Sequence, residues 1–179
     1  MTGTDEEAAW VERSRNGDPD AFASLIRIHQ RMIHSLTYRM TGSMAEADDL
    51  AEETFIKAYD QLDSYRGDAK FSSWLYRIAI NLCLDWQRRE RSRTRAMRAW
   101  AQERDCGQPS PSEDLGKRLQ SALMRLPAKQ RAAITLTVYE GMSHAEVAGV
   151  LGCTVAAVSW RVFAARRRLV KILSTEAQP

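Results

Sequence analysis

The sequence lacks what a membrane-spanning, secreted or metal-built protein needs. Apolar residues never run unbroken for more than a few positions, against the ~20 required to cross a bilayer. The first ten residues, MTGTDEEAAW, are acidic and polar where a secretory signal would be basic and then apolar. Neither a signal nor membrane insertion is expected. Cysteine is scarce: Cys83, Cys106 and Cys153 are an odd number without a C-x-x-C pair, which excludes a disulfide framework and predicts a reducing, cytoplasmic setting. Together with His29, His34 and His144 they form no cluster with zinc-ligand spacing, so no metal site and no cofactor is expected. A Gly-rich phosphate loop and a nucleophile–base constellation are also missing, which argues against an enzyme and leaves no catalytic residue to name.

Charge is present but segregated. The 179 residues carry a net +3, yet residues 1–63 hold 6 basic and 13 acidic groups (net −7), residues 64–104 hold 10 and 4 (net +6), and residues 105–179 hold 10 and 6 (net +4). An acidic front and a basic remainder imply two kinds of partner surface, the basic one suited to nucleic acid.

Periodicity is helical almost throughout, with Gly and Pro between the periodic segments, which predicts an all-α protein. Asp18-Pro19 starts a helix whose Phe22, Leu25, Ile26, Ile33, Leu36 and Met40 share a face until Gly42. Ser43-Met44-Ala45-Glu46 reads as a capping box opening a second helix to about Leu62, and a third is expected over residues 72–89. The composition of residues 91–114 then turns to Arg, Ser, Gln and Pro. This predicts a flexible linker, its Arg-rich beginning a possible helical extension, between a domain at 1–90 and one at 115–179.

Three segments carry chemistry. Ser143-His144-Ala145-Glu146 caps a short helix; Gly152-Cys153-Thr154 makes a turn, and a longer basic helix follows. This is the order of a DNA-binding helix-turn-helix, in which the second helix enters the major groove. Ala156, Ala157, Ser159 and Trp160 are poor core anchors, while Arg161, Arg166, Arg167, Arg168 and Lys171 suit phosphates. Earlier, Glu46, Asp48, Asp49, Glu52 and Glu53 crowd one helix start. Acids in the first turn offset the helix dipole, but Glu52 and Glu53 lie farther in and repel Asp48 and Asp49, so a basic protein partner explains the patch better. No histidine is expected near it. Between these, residues 65–89 interleave Tyr65, Arg66, Lys70, Phe71, Trp74, Tyr76, Arg77, Trp86, Arg88 and Arg89, a composition for single-stranded nucleic acid. Trp74 and Trp86 are expected in the core and Tyr65, Phe71 and Tyr76 at the surface.

These pieces, in this order, resemble bacterial RNA polymerase sigma factors of the extracytoplasmic-function group. The resemblance runs from residue 21 to 173 through Asp20-Ala21-Phe22, Ala47-Asp48-Asp49-Leu50-Ala51-Glu52-Glu53-Thr54-Phe55, Tyr65-Arg66-Gly67-Asp68, Phe71-Ser72-Ser73-Trp74-Leu75-Tyr76-Arg77-Ile78-Ala79-Ile80-Asn81 and Leu126-Pro127-Ala128-Lys129-Gln130-Arg131. It implies two helical domains, sigma-two and sigma-four. Asp48, Asp49, Glu52, Glu53 and Phe55 would bind core RNA polymerase. Tyr65, Arg66, Asp68, Lys70, Phe71, Trp74, Tyr76, Arg77, Asn81 and Arg88 would recognise and open the minus-ten element, duplex and then melted strand. Thr154, Ala156, Ala157, Ser159, Trp160, Arg161 and Arg166 would read the minus-thirty-five element. Where many relatives carry Lys or Arg followed by a small residue, this chain has Ser159-Trp160, so their promoter preference does not transfer. With no fused sensor read in the sequence, control by a separate anti-sigma protein is expected. The linker predicts two domains that tumble semi-independently, and no inhibitory segment is read. A stand-alone repressor would need neither the acidic helix nor the aromatic segment, and a decoy that only titrates an anti-sigma protein would not need Arg77, Arg88, Arg161 and Arg166.

Overall fold

The computed structural model describes residues 3–100 and 115–175, and among these the regular structure is helical without a strand. Cys106 and residues 101–114 of the expected linker lie outside the described residues.

The first helix, α1 (Gly3–Arg15), was not expected from its sequence, because its composition is polar. It packs on α2: Val11 is buried, Trp10 lies against the core, the Ser14 hydroxyl donates to Trp10 O at 2.6 Å, and Glu7 meets His29 Nε2 at 2.7 Å. Helix α2 (Pro19–Thr41) begins as the sequence dictates. The Asp18 carboxylate accepts from the Asp20 and Ala21 amides, and Pro19 occupies the first turn. Arg13 pairs with Asp18 at 2.6 Å, and that bond leads the causes holding the carboxyl below its ordinary range. Phe22, Leu25, Ile33, Leu36 and Met40 are buried on the predicted face.

Ser43 accepts from the Glu46 amide and starts α3 (Met44–Asp60), which lies along α2 and buries Ala47, Leu50, Thr54, Phe55 and Ala58. The buried Thr37 hydroxyl, 3.0 Å from Ala47 O, ties the two helices. Leu62 belongs to a 3-10 turn (Leu62–Ser64) rather than to α3. Helix α4 (Phe71–Trp100) is longer than its apolar stripe: residues 91–100 continue it, so the Arg-rich start of the expected linker is helical.

The C-terminal half packs α5 (Leu115–Met124), α6 (Ala128–Ile134), α7 (His144–Leu151) and α8 (Val155–Thr175). The segment after Pro127 runs as α6 and then as a π-helical stretch over Thr135–Tyr139, before Gly141 turns at φ 65°. The Ser143–Glu146 capping box closes both ways, lowering the Glu146 pKa through the Ser143 amide.

The halves do not hang apart, as the linker composition led us to expect. One apolar core continues from Leu25, Leu36, Leu75 and Ile80 into Ala132, Leu136, Val147 and Val158. At the seam the Arg131 guanidinium, 2% exposed, donates to Met40 O at 2.6 Å and to Leu126 O at 3.2 Å, and Gln120 donates to Tyr38 O at 3.0 Å. Gly42 closes α2 at φ 76°, and a Cβ there would stand 2.9 Å from Met124 Cγ. Gly67 shares that backbone, with φ 78° and open space around it. Gly67→Ala is therefore expected to cost the left-handed backbone term alone, about 1–2 kcal/mol, and Gly42→Ala measurably more, read from denaturant midpoints. Equal losses would mean that Met124 yields freely.

Candidate nucleic-acid interface

Three surfaces gather the residues singled out above. The first is the outer face of α3. Asp48, Asp49 and Glu52 are exposed, and Glu53 is half-buried and pairs with Lys57 at 3.1 Å. Contrary to expectation a histidine does converge on the patch: His34 Nε2 on α2 lies 2.9 Å from Asp48 Oδ1. Phe55 is buried, at 9% exposure, and forms the floor of an open groove of about 740 Å³ between α2 and α3. Ile56 and Tyr59, exposed at 55% and 47%, line the same groove. Sequence reasoning passed over both, although each lies one to four residues beyond Phe55 on the same helix. Asp48, Glu52 and Asp60 thus rim an apolar trough, while Asp49 and Glu53 lie outside its lining.

The second surface is the loop before α4 and α4 itself. Arg66, Asp68 and Lys70 are exposed around Gly67. The Tyr65 hydroxyl donates to Ala69 O at 2.8 Å, and burial raises its pKa. The Arg15 guanidinium from α1 donates to Tyr65 O and lies 5.9 Å from the Tyr65 ring centroid. Tyr65, Phe71 and Trp74 form a ring cluster with centroids 5.2–5.5 Å apart.

The expected exposure of these aromatics needs correction. Phe71 is the hub, 3% exposed and also packed on His29, while Tyr65 and Trp74 are half-buried, with the Arg15 guanidinium over the Tyr65 ring. Trp86 is half-buried as well. Tyr76, expected to face bases, is 5% exposed and donates to Glu140 Oε2 at 2.5 Å; burial first, and then this carboxylate, push its pKa far up. The reason is helical spacing. Phe71 and Leu75 point inward, Tyr76, Ile80, Cys83 and Gln87 form a stripe under the seam, and Trp74, Arg77, Asn81 and Arg88 share the outer stripe. Arg77, Asn81 and Arg88 are exposed; Arg77 donates to Gly149 O at 2.9 Å, and Arg88 pairs with Asp85.

The third surface is the helix pair α7 and α8, which meet at a bend of 102° across Gly152, whose φ is 58°. No single helix among the described residues is long and apolar enough to cross a membrane, and the bent pair that passes by composition is this helix-turn-helix. Thr154 caps α8 by accepting from the Ala157 amide at 3.2 Å. His144 Nδ1, 2.9 Å from Ser159 Oγ, joins the two helices. Val158, Val162 and Ala165 are buried, whereas Val155 is 49% exposed. Ala156, Ser159 and Trp160 are exposed, and Ala157 is half-buried. Phe163, which the sequence reading did not single out, is 60% exposed beside Trp160 at 63%, with the Arg167 guanidinium 5.8 Å from its ring centroid. Arg161 turns back to Cys153 Sγ at 3.2 Å, and Arg166 is free of a described partner and exposed.

Burial pushes the Cys83 thiol up to about 12, which makes it a poor nucleophile at neutral pH. Among the described residues no group of three His, Cys, Asp or Glu side chains converges as metal ligands.

The family model described as sigma-70 region 2 matches residues 25–93, and that described as sigma-70, region 4 matches residues 116–169. The chain is 34% identical over 176 residues to the ECF RNA polymerase sigma factor SigW of Bacillus subtilis, covering 91% of this chain and 94% of the relative. It is 36% identical over 172 residues to the ECF RNA polymerase sigma-E factor of Escherichia coli, covering 89% and 90%. Among solved structures, CnrH in complex with the cytosolic domain of CnrY superposes with a TM-score of 0.71 at 27% identity, over 95% of this chain and 98% of that one. The sigma factor RpoE in complex with the anti-sigma factor NepR from Bartonella quintana gives 0.69 at 26%, over 86% and 96%.

The burial of Phe71 sets an expectation for mutagenesis. Phe71→Ala should destabilise the fold by about 3–5 kcal/mol, while Asn81→Ala on the outer stripe should stay within about 0.5 kcal/mol of the parent. Chemical unfolding of both variants checks this, and a Phe71 variant of unchanged stability would place that ring at the surface.

Proposed function

The chain belongs to the extracytoplasmic-function sigma factors, which direct promoter-specific transcription initiation by RNA polymerase, and on that premise we propose how its surfaces share the work. Residues 1–90 act as the sigma-two domain, with α4 extending it; residues 91–114 connect it to a sigma-four domain over 115–179. The chain works in the cytoplasm by binding, with no catalysis of its own.

The acidic rim of α3, Asp48, Asp49, Glu52 and Glu53, docks on a basic helical element of the polymerase while the Phe55 groove takes apolar side chains. The loop from Tyr65 to Lys70 and the outer α4 stripe take the minus-ten element. Arg66, Lys70, Arg77 and Arg88 hold phosphates, and the partly exposed rings of Tyr65 and Trp74 accept unstacked bases. Stacking of ~1–3 kcal/mol per base offsets an unstacking cost of a few kcal/mol, so strand opening needs no chemistry. The observation that carries this reading is the stripe itself, in which aromatic, guanidinium and amide groups recur on one exposed helix face beside an aromatic cluster.

Helix α8 reads the minus-thirty-five element with an apolar face. Trp160 and Phe163 stand where a guanidinium or amide would make bidentate contacts to guanine or adenine, and apolar surface in the major groove meets the thymine methyl. Arg166 supplies a phosphate contact beside them. Control by an anti-sigma protein is supported by the partners carried by the two superposed structures.

Reversal of Asp49 and Glu53 to Lys together should abolish co-purification with core polymerase while thermal unfolding stays near that of the parent; retained binding would remove the α3 rim from the mechanism. Duplex selection with the full chain should enrich thymine at one or two upstream positions and lose that enrichment in Trp160→Ala. Arg166→Ala should instead weaken all duplexes alike and flatten the logarithmic salt slope by about one.

A further inference from the structure

Helix α1 is polar in composition, yet its inner face reaches the aromatic cluster before α4 at both ends. Glu7, Val11 and Arg15 recur at intervals of four and so share that face. Val11 is buried in the middle. At one end Glu7 meets His29, whose ring centroid lies 5.5 Å from that of Phe71. At the other, the Arg15 guanidinium donates to Tyr65 O and stands over the Tyr65 ring, 5.9 Å from its centroid.

Arg15 is held where it can do this. It is the last residue of α1, where a cation suits the negative end of the helix dipole. The chain then turns at Gly17, with φ 85°, and the Arg13–Asp18 pair at 2.6 Å ties the end of α1 to the start of α2. The 3-10 turn before Tyr65 packs against α1. Arg15 Nε is buried, Nη1 lies 3.5 Å from Glu12, and the side chain as a whole is 28% exposed. Its donors are turned to the protein, whereas Arg66 and Lys70 on the loop are exposed to solvent.

The loop that Arg15 touches has little else to hold it. Among the described residues its other hydrogen bonds stay within positions 62–74: Tyr65 N to Leu62 O at 3.1 Å, the Tyr65 hydroxyl to Ala69 O, and Ser73 N to Lys70 O at 2.9 Å. Residues 66–70 are all exposed, with Gly67 in the left-handed region among them. Such a loop is ordered through its anchor, and every residue left to order on binding subtracts from the contact energy. The anchor supplied from a distant element is Arg15, 50 positions earlier in the chain.

We propose that Arg15 is a positioning residue for strand opening. It fixes the Tyr65 backbone and occupies one side of the ring, so that the loop meets the melted minus-ten strand already ordered. A base then approaches Tyr65 only from the side that Arg15 leaves open, and Arg15 itself touches no DNA. This rests on the assignment of the Tyr65 loop to the minus-ten element.

The test compares Arg15→Ala, Tyr65→Ala and the double variant in the full chain, bound to core polymerase, on a promoter fragment selected from genomic DNA by run-off transcription with the wild type. Arg15→Ala should keep the wild-type thermal midpoint and co-purification with core enzyme. It should nevertheless form the permanganate-reactive open complex about five-fold more slowly, the effect of one charge-assisted hydrogen bond. In the free chain its Gly67 and Asp68 amides should show lower ¹⁵N order parameters. The double variant should open within about two-fold of Tyr65→Ala, because no ring is then left for Arg15 to orient. Unchanged order parameters overturn the positioning role, as does a midpoint or core binding that falls together with opening. Losses that multiply in the double variant put Arg15 on the DNA and overturn it as well. If Arg15→Ala opens like the wild type while Tyr65→Ala is slow, the inference falls alone; if both open like the wild type, the minus-ten assignment of the loop falls with it.

Discussion

The C-terminal end of α2 must find donors for the carbonyls that a helix leaves orphaned, and the rest of the molecule is arranged around how it does so. Gly42 N–H and the Gln120 amide serve Tyr38 O, the Thr41 hydroxyl serves Thr37 O, and Gln87 and Arg131 both serve Met40 O. Of these donors, Gln87, Gln120 and Arg131 come from α4, α5 and α6. One helix end therefore fixes the long helix α4 against α2 and seats the C-terminal half beside both. The negative end of the helix dipole also explains how a guanidinium sits there without a carboxylate. Burial, and after it the nearby Arg91, pull the Arg131 pKa down to about 10, which still leaves it charged at neutral pH.

That arrangement was legible in the sequence only in part. The caps were plain: Asp18-Pro19, Gly42 and Ser143 through Glu146 are local signals, and each works through atoms a few residues away. The buried face of α2 followed from spacing alone. Helix α1 was missed because a polar helix held by Val11 and a Glu7–His29 contact has almost no periodic signature. The closed seam was missed for a different reason. Gln120, Arg131 and Glu140 are polar residues whose partners lie 82, 91 and 64 positions away, and composition carries no trace of such pairings.

The functional surfaces divide along the same line. Acids on α3 and bases on α8 are patches of one charge on one helix, and residue type announces them. The aromatics of α4 are not, because residue type names what can stack on a base while helix phase decides which rings are free to do so. Phe71 and Trp74 are three residues apart and both aromatic, yet one is buried in the core and the other only half-buried at its edge. A list of aromatic and basic residues is thus weaker than the stripe that orders them.

Helix phase also gives α4 two duties. Its outer stripe of Trp74, Arg77, Asn81 and Arg88 keeps its charged and amide groups exposed, and the stripe beside it, Tyr76, Ile80, Cys83 and Gln87, lies under the seam. Because the stripes are adjacent on a single cylinder about 10–12 Å across, whatever packs on one overhangs the other. A cover placed on Tyr76 cannot avoid Arg77. The Tyr76 bond to Glu140 and the Arg77 bond to Gly149 O are thus two consequences of one helix phase.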